Sequence, residues 1–226
     1  MEASDFHSQG KFTEAAERAE KAAELVPDSF AVQQRAAETL YLSGFSDKSL
    51  IPFDRAVKLA PDRAADNWQR GLALATSGKF KAGAKQFETH HRVNPDDVEN
   101  SAWYFLCVAK SEGIEKAREA LIPSRGDPRE PMMSILAMLS GKLAPDEVMK
   151  AAVANTQPGS SRRTAQLYAD LYVGLYHDSL GDAKNAAKFL KRSLTYSSTG
   201  YMADTARVYY EERFKKSEKT KRSAAK

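Results

Sequence analysis

The chain has 226 residues, 42% of them hydrophobic and 28% charged, with a formal net charge of +4. That mixture excludes a disordered chain, and no apolar run approaches the roughly 18 residues a membrane span requires. The single cysteine, Cys107, excludes an intramolecular disulfide and leaves any thiolate zinc site short of ligands.

The charge is unevenly placed. From Arg213 onward seven basic residues face Glu218 alone, a balance of +6, so residues 1–212 sum to −2. The basic character therefore belongs to a tail, and the folded body is not expected to bind nucleic acid. Beyond Phe214 the tail has no aromatic side chains on which bases could stack. It reads as a solvated extension of the last helix. The N-terminus, Met1 to Asp5, has neither the basic start nor the apolar stretch of a secretory signal. The expectation is a soluble protein, cytoplasmic if the chain is complete and of the envelope or a plastid if a presequence has been removed.

A 34-residue period sets the organisation. Gly10, Gly44 and Gly78 are 34 apart, as are Pro27, Pro61 and Pro95. Five residues after each glycine stands a small side chain (Ala15, Ser49, Gly83), and nine after it Ala19, Phe53 and Phe87. Seven before it stand Ala3, Ala37 and Gly71. Each glycine is expected to end the first helix of a hairpin in a left-handed conformation. The small residues allow two helices to approach closely, and the proline stops the second helix. Such a hairpin cannot bury its apolar face alone, so the copies must stack.

Farther along, residues 97–122 read as a degenerate hairpin turning near Gly113, with Trp103 ten before it as Trp68 is ten before Gly78. The proline- and glycine-rich stretch 123–131 breaks the pattern, and 132–141 with 146–154 form a short, atypical helix pair. After a second loop at 157–161 another copy appears around Gly181, with Gly174, Ala186 and Leu190 in the repeat positions. A last helix at about 201–216 is expected to cap the stack. The expected division is 1–122 for the N-terminal array, 123–159 for the irregular loop and helix pair, 160–216 for the C-terminal repeat with its cap, and 217–226 for the tail.

This glycine, alanine, phenylalanine and proline pattern resembles the tetratricopeptide repeat family, most clearly over residues 1–95 and 164–198. The run 86–107 is similar to bacterial and plastid repeat proteins with no established chemistry. The repeat-plus-cap layout is similar to bacterial envelope lipoproteins that act as adaptors. The resemblance implies an all-α, right-handed superhelical solenoid whose first helices line a concave surface. On it, positions thirteen, ten, six and three before each glycine face inward. From those rows come the partner-binding candidates Gln34, Glu38, Tyr41, Trp68, Leu72, Asn100, Trp103, Tyr168 and Leu171. Trp68 and Trp103 either form an apolar groove for a peptide or fill the core beneath the next hairpin. Chaperone-binding members clamp a carboxylate with lysines and asparagines. Here those positions hold Gln34, Arg35, Glu38, Ala65 and Gln69, which argues against that role.

The other constellations read more plainly. Adjacent histidines on a helix point about 100° apart, so His90 and His91 suit a hydrogen-bonded core histidine beside an exposed one better than a metal site or a pair with Cys107. Tyr168, Tyr172 and Tyr176 share one helix face and are expected to pack against a neighbouring hairpin. Asp127-Pro128-Arg129 is either a partner-binding loop or a turn closed by an ion pair. No phosphate loop, paired-carboxylate site or metal set is visible, so neither catalysis nor a cofactor is expected. The reading is a non-enzymatic scaffold or adaptor for a protein or peptide. The alternative is a homo-oligomer self-associating through Met132, Met133, Leu136, Met138 and Leu139.

Overall fold

The computed structural model describes residues 3–196 and 199–215. The basic tail, 217–226, lies outside the described residues. Among those described, all regular structure is helical. Six hairpins follow one another: α1 (Ala3–Ser8) with α2 (Phe12–Leu25), α3 (Phe30–Leu42) with α4 (Ser46–Leu59), and α5 (Trp68–Thr76) with α6 (Phe80–His91). Then come α7 (Val98–Glu112) with α8 (Ile114–Glu119), α9 (Met132–Leu139) with α10 (Pro145–Ala154), and α11 (Ser160–Ser179) with α12 (Ala183–Ser193). The described residues end in α13 (Tyr201–Tyr210) and a π-helical turn, Glu211–Lys215.

The periodic residues do the work their types suggest. Gly44 has φ 86°, and the next amide, Phe45 N–H, closes the helix end on Leu40 O at 3.0 Å. The same closing bond recurs from Lys11 to Phe6, Lys79 to Leu74 and Asp182 to His177. This geometry satisfies carbonyls that a helix end leaves without partners. Polar caps start the helices that follow: Ser29, Asn67 and Asp182 accept amide protons from Val32, Arg70 and Asn185.

Positions seven before and nine after the glycine meet across the α5–α6 and α11–α12 hairpins. A Cβ on Gly71 would stand 2.7 Å from the Phe87 ring, and one on Gly174 would stand 2.7 Å from Leu190. Gly83 makes the same concession to Cys107, whose sulfur would lie 2.8 Å from an added Cβ. Small residues here exist to admit large ones opposite.

Two features depart from the sequence reading. Pro61–Asp66 forms a 3-10 turn, so α5 starts only at Trp68 and Ala65 leaves the inward row, its carbonyl bonded to His90 Nδ1 at 2.8 Å. The larger correction concerns α13. It covers α12, but it also turns back across the first helices of the hairpins, where Tyr201 meets Tyr41 of α3 and Trp68 of α5, and Tyr209 meets Trp103 of α7. The physical reason is the helix itself. Thr205, Ala206, Val208, Tyr209 and Tyr210 are all buried, and a helix apolar on more than one face needs neighbours on more than one side. A single core consequently runs from Ala37 to Phe214, and a smaller cluster around Ala19 and Leu40 joins the first two hairpins.

Candidate interaction groove

The inward row is set by helices α3, α5, α7 and α11, and α13 divides it into a covered floor and an open margin. Tyr41, Leu72, Asn100, Trp103 and Leu171 belong to the floor. All five are buried, Trp103 to 1% and Asn100 to 3% exposure. Tyr41 and Leu171 are covered by α13 and the adjoining hairpins, which corrects the expectation that they meet a partner, whereas Leu72, Asn100 and Trp103 border the cavity described below. Trp103 is core, edge-on to Tyr209 with centroids 5.4 Å apart. Trp68 is half-buried, against Tyr201 at 4.9 Å.

Gln34, Glu38 and Tyr168 stay half-buried. Gln34 Nε2 donates to Glu38 Oε1 at 2.7 Å, and Asn67 Nδ2 donates to Gln34 Oε1 at 2.8 Å. Gln69 Nε2 reaches the same Glu38 oxygen at 3.4 Å. These four side chains line an open depression of about 200 Å³ with Arg63, whose guanidinium lies 4.3 Å from the Phe30 ring centre. A hydrogen-bonded row on rigid helices presents polar groups at fixed positions, which lowers the ordering cost of binding. Tyr168 stacks on Tyr172 at 6.3 Å.

On the far side of Trp68 lies a cavity of about 240 Å³. Its apolar wall is Trp68, Leu72, Phe87, Trp103 and Met202; its polar side includes His90, Asp97, Glu99, Asn100 and Arg129. Arg129 is the hub. It binds Asp97 at 2.6 Å, Asp127 at 2.6 Å and Glu99. Asp127 also accepts from the Val98 amide, so the loop 123–131 is stapled to the start of α7. The Asp127-Pro128-Arg129 segment is thus an ion-paired turn. Burial raises the Glu99 carboxyl above its usual range, although Arg129 and the Tyr172 hydroxyl both favour its charge.

Several other candidates resolve into structure. His90 is buried on its bond to Ala65 O, whereas His91 is half-buried where exposure was expected. Cys107 is fully buried, and burial pushes its thiol well above the ordinary value, the opposite of an activated thiolate. Tyr172 is core, with its hydroxyl on Glu99, and Tyr176 accepts from Arg118 at 3.4 Å. The self-association patch is absent: Met132, Met138 and Leu139 are buried, Leu136 is half-buried, and Met133 alone of the five is exposed, at 41%. These side chains fill the contact of α9 with α7, α10 and α11. The cavity and the role of α13 escaped the sequence reading. The aromatic density of 201–214 was the available signal.

No family model matches the chain. Its structure is similar to the crystal structure of a tetratricopeptide repeat protein from Parabacteroides merdae ATCC 43184, at 14% sequence identity and a TM-score of 0.54. The likeness covers 92% of this chain and 81% of that one. With the 34-residue period, the glycine-closed hairpins and their stacking, the chain has the fold of a tetratricopeptide repeat solenoid.

Proposed function

We propose that the chain is a non-enzymatic scaffold that holds a protein or peptide partner along the margin of the concave face that α13 leaves open. The observation that carries this reading is the cross-linked polar row Gln34, Glu38, Asn67 and Gln69, held on rigid helices beside the half-buried Trp68. Repeat solenoids commonly use this face, and an aromatic anchor flanked by fixed polar groups is the composition of an interface. Tyr41, Leu72, Asn100, Trp103 and Leu171 support the face from beneath. Self-association through α9 has lost its surface and is not the favoured reading.

The test is affinity capture from native lysate with the intact chain, beside Gln34→Ala/Glu38→Ala and Trp68→Ala. The expected result is a protein retained by the parent and lost by both variants, whose thermal melts stay cooperative. Equal retention by all three chains contradicts the assignment of this margin.

A further inference from the structure

The cavity beyond Trp68 is lined by Asn100 and Trp103, whose buried Oδ1 and Nε1 have no partner in the protein. Asn100 is not ambiguous in its orientation. Its Nδ2 donates to Phe87 O at 3.1 Å, and turning the amide over would set oxygen against oxygen. The free atom is therefore an acceptor. His90 lines the same side, its Nδ1 2.8 Å from Ala65 O. The carboxylates of Asp97 and Glu99 complete that side, and Arg129, the cation among them, is already shared by three carboxylates once Asp127 is counted. Among the lining residues Asp97 and Glu99 face Arg129, a formal balance of −1, and the unpartnered acceptor is Asn100 Oδ1, beside the unpartnered indole N–H.

Walls and size narrow the ligand further. Trp68, Leu72, Phe87 and Met202 suit an alkyl chain, and indole faces attract cations. A volume of about 240 Å³ is below the roughly 300 Å³ at which drug-sized pockets begin, and suits one short chain with its head group. We propose that this cavity binds an aliphatic cation, a guanidinium or primary ammonium on a short alkyl stem. It is carried either by an arginine or lysine of a protein partner or by a free small amine. The site shares Trp68 with the margin but uses neither Gln34 nor Glu38, so Gln34→Ala/Glu38→Ala separates the failure of one assignment from the failure of the other.

The experiment titrates the full chain with n-butylguanidinium and, separately, with acetyl-Gly-Arg-Gly-amide, following the indole N–H resonance of Trp103. n-Butanol and sodium chloride serve as controls. A saturable shift with a cation, absent with both controls, supports the site. Saturation by the peptide assigns the cation to a partner's side chain, and saturation by the free guanidinium alone assigns it to a small amine. Glu99→Gln is expected to weaken binding about tenfold, about 1.4 kcal/mol. Met202→Trp, which adds bulk at a half-buried lining position, is expected to abolish it without lowering the melt. The proposal is overturned if neither cation saturates at millimolar concentration, if butanol shifts the resonance equally, or if Met202→Trp binds as the parent does.

Discussion

Trp103 and Tyr209 meet edge to face at an interplanar angle of 75°, and the Tyr209 hydroxyl goes on to donate to Asp178 Oδ2 at 2.6 Å. Lys110 holds the other Asp178 oxygen at 2.8 Å. One aromatic pair and one carboxylate thus tie α7, α11 and α13 together, and they close the concave face at its centre. The margin around Gln34, Glu38 and Trp68 stays half-buried outside that closure.

The two tryptophans separate by mutation. Trp103→Ala should cost about 3–5 kcal/mol, the usual range for emptying a buried aromatic site. Trp68→Ala should cost less, because its ring is only partly buried. Urea unfolding of both variants checks the order, and equal costs contradict it.

Tyr209→Phe keeps the ring and removes a hydrogen bond to a buried carboxylate. The expected loss is about 1.5–3 kcal/mol, the range for hydrogen bonds to charged groups. A neutral effect in the same unfolding assay means that Asp178 is satisfied by Lys110 alone.

Two glycines should fail for different reasons. Gly174→Ala forces a Cβ against Leu190 and should cost about 1–3 kcal/mol through overpacking. Gly44 has no neighbour within 4 Å but a φ of 86°, so Gly44→Val should cost about 1–2 kcal/mol from backbone handedness alone. Asparagine, which tolerates the left-handed region, should recover part of the loss at position 44 and none at 174. Thermal denaturation of the four variants decides.

Burial raises the Asp127 carboxyl, but hydrogen bonds from Arg129 and the Val98 amide outweigh burial and hold it below the usual value of 3.8. The unfolded chain therefore binds more protons at this site in mildly acidic solution. The stabilisation is present above the ordinary value and is lost as pH falls through the depressed one. Glu99, raised by burial, acts with the opposite sign. Asp127→Asn should be less stable than the parent at neutral pH and lose less stability on acidification. Parallel stability curves contradict this.

The hairpins were legible because local rules specify them. Gly10, Gly44, Gly78 and Gly181 all take positive φ, and the Gly71–Phe87 and Gly174–Leu190 pairs are visible as fixed offsets from those glycines. The inward row was legible only as a row. Periodicity places Trp68 and Trp103 on the same helix face but says nothing of what lies over it, and the cover comes from a helix more than a hundred residues later. Asn100 and Arg129 were each singled out, but that they line one cavity was hidden for a related reason. Their meeting depends on the irregular loop 123–131, whose path is set by ion pairs with Asp97 and Glu99 and by no repeat. The patch on α9 failed because a short apolar helix looks the same whether it is covered or not.

The most direct test of the account is a proton–proton Overhauser measurement on the intact chain, targeting the Trp103–Tyr209 and Trp68–Tyr201 ring pairs. Centroid separations of 5.4 and 4.9 Å predict cross-peaks for both. Their absence, with both indoles showing solvent exchange, would mean that α13 stands clear of the groove and that the whole concave row is open to a partner.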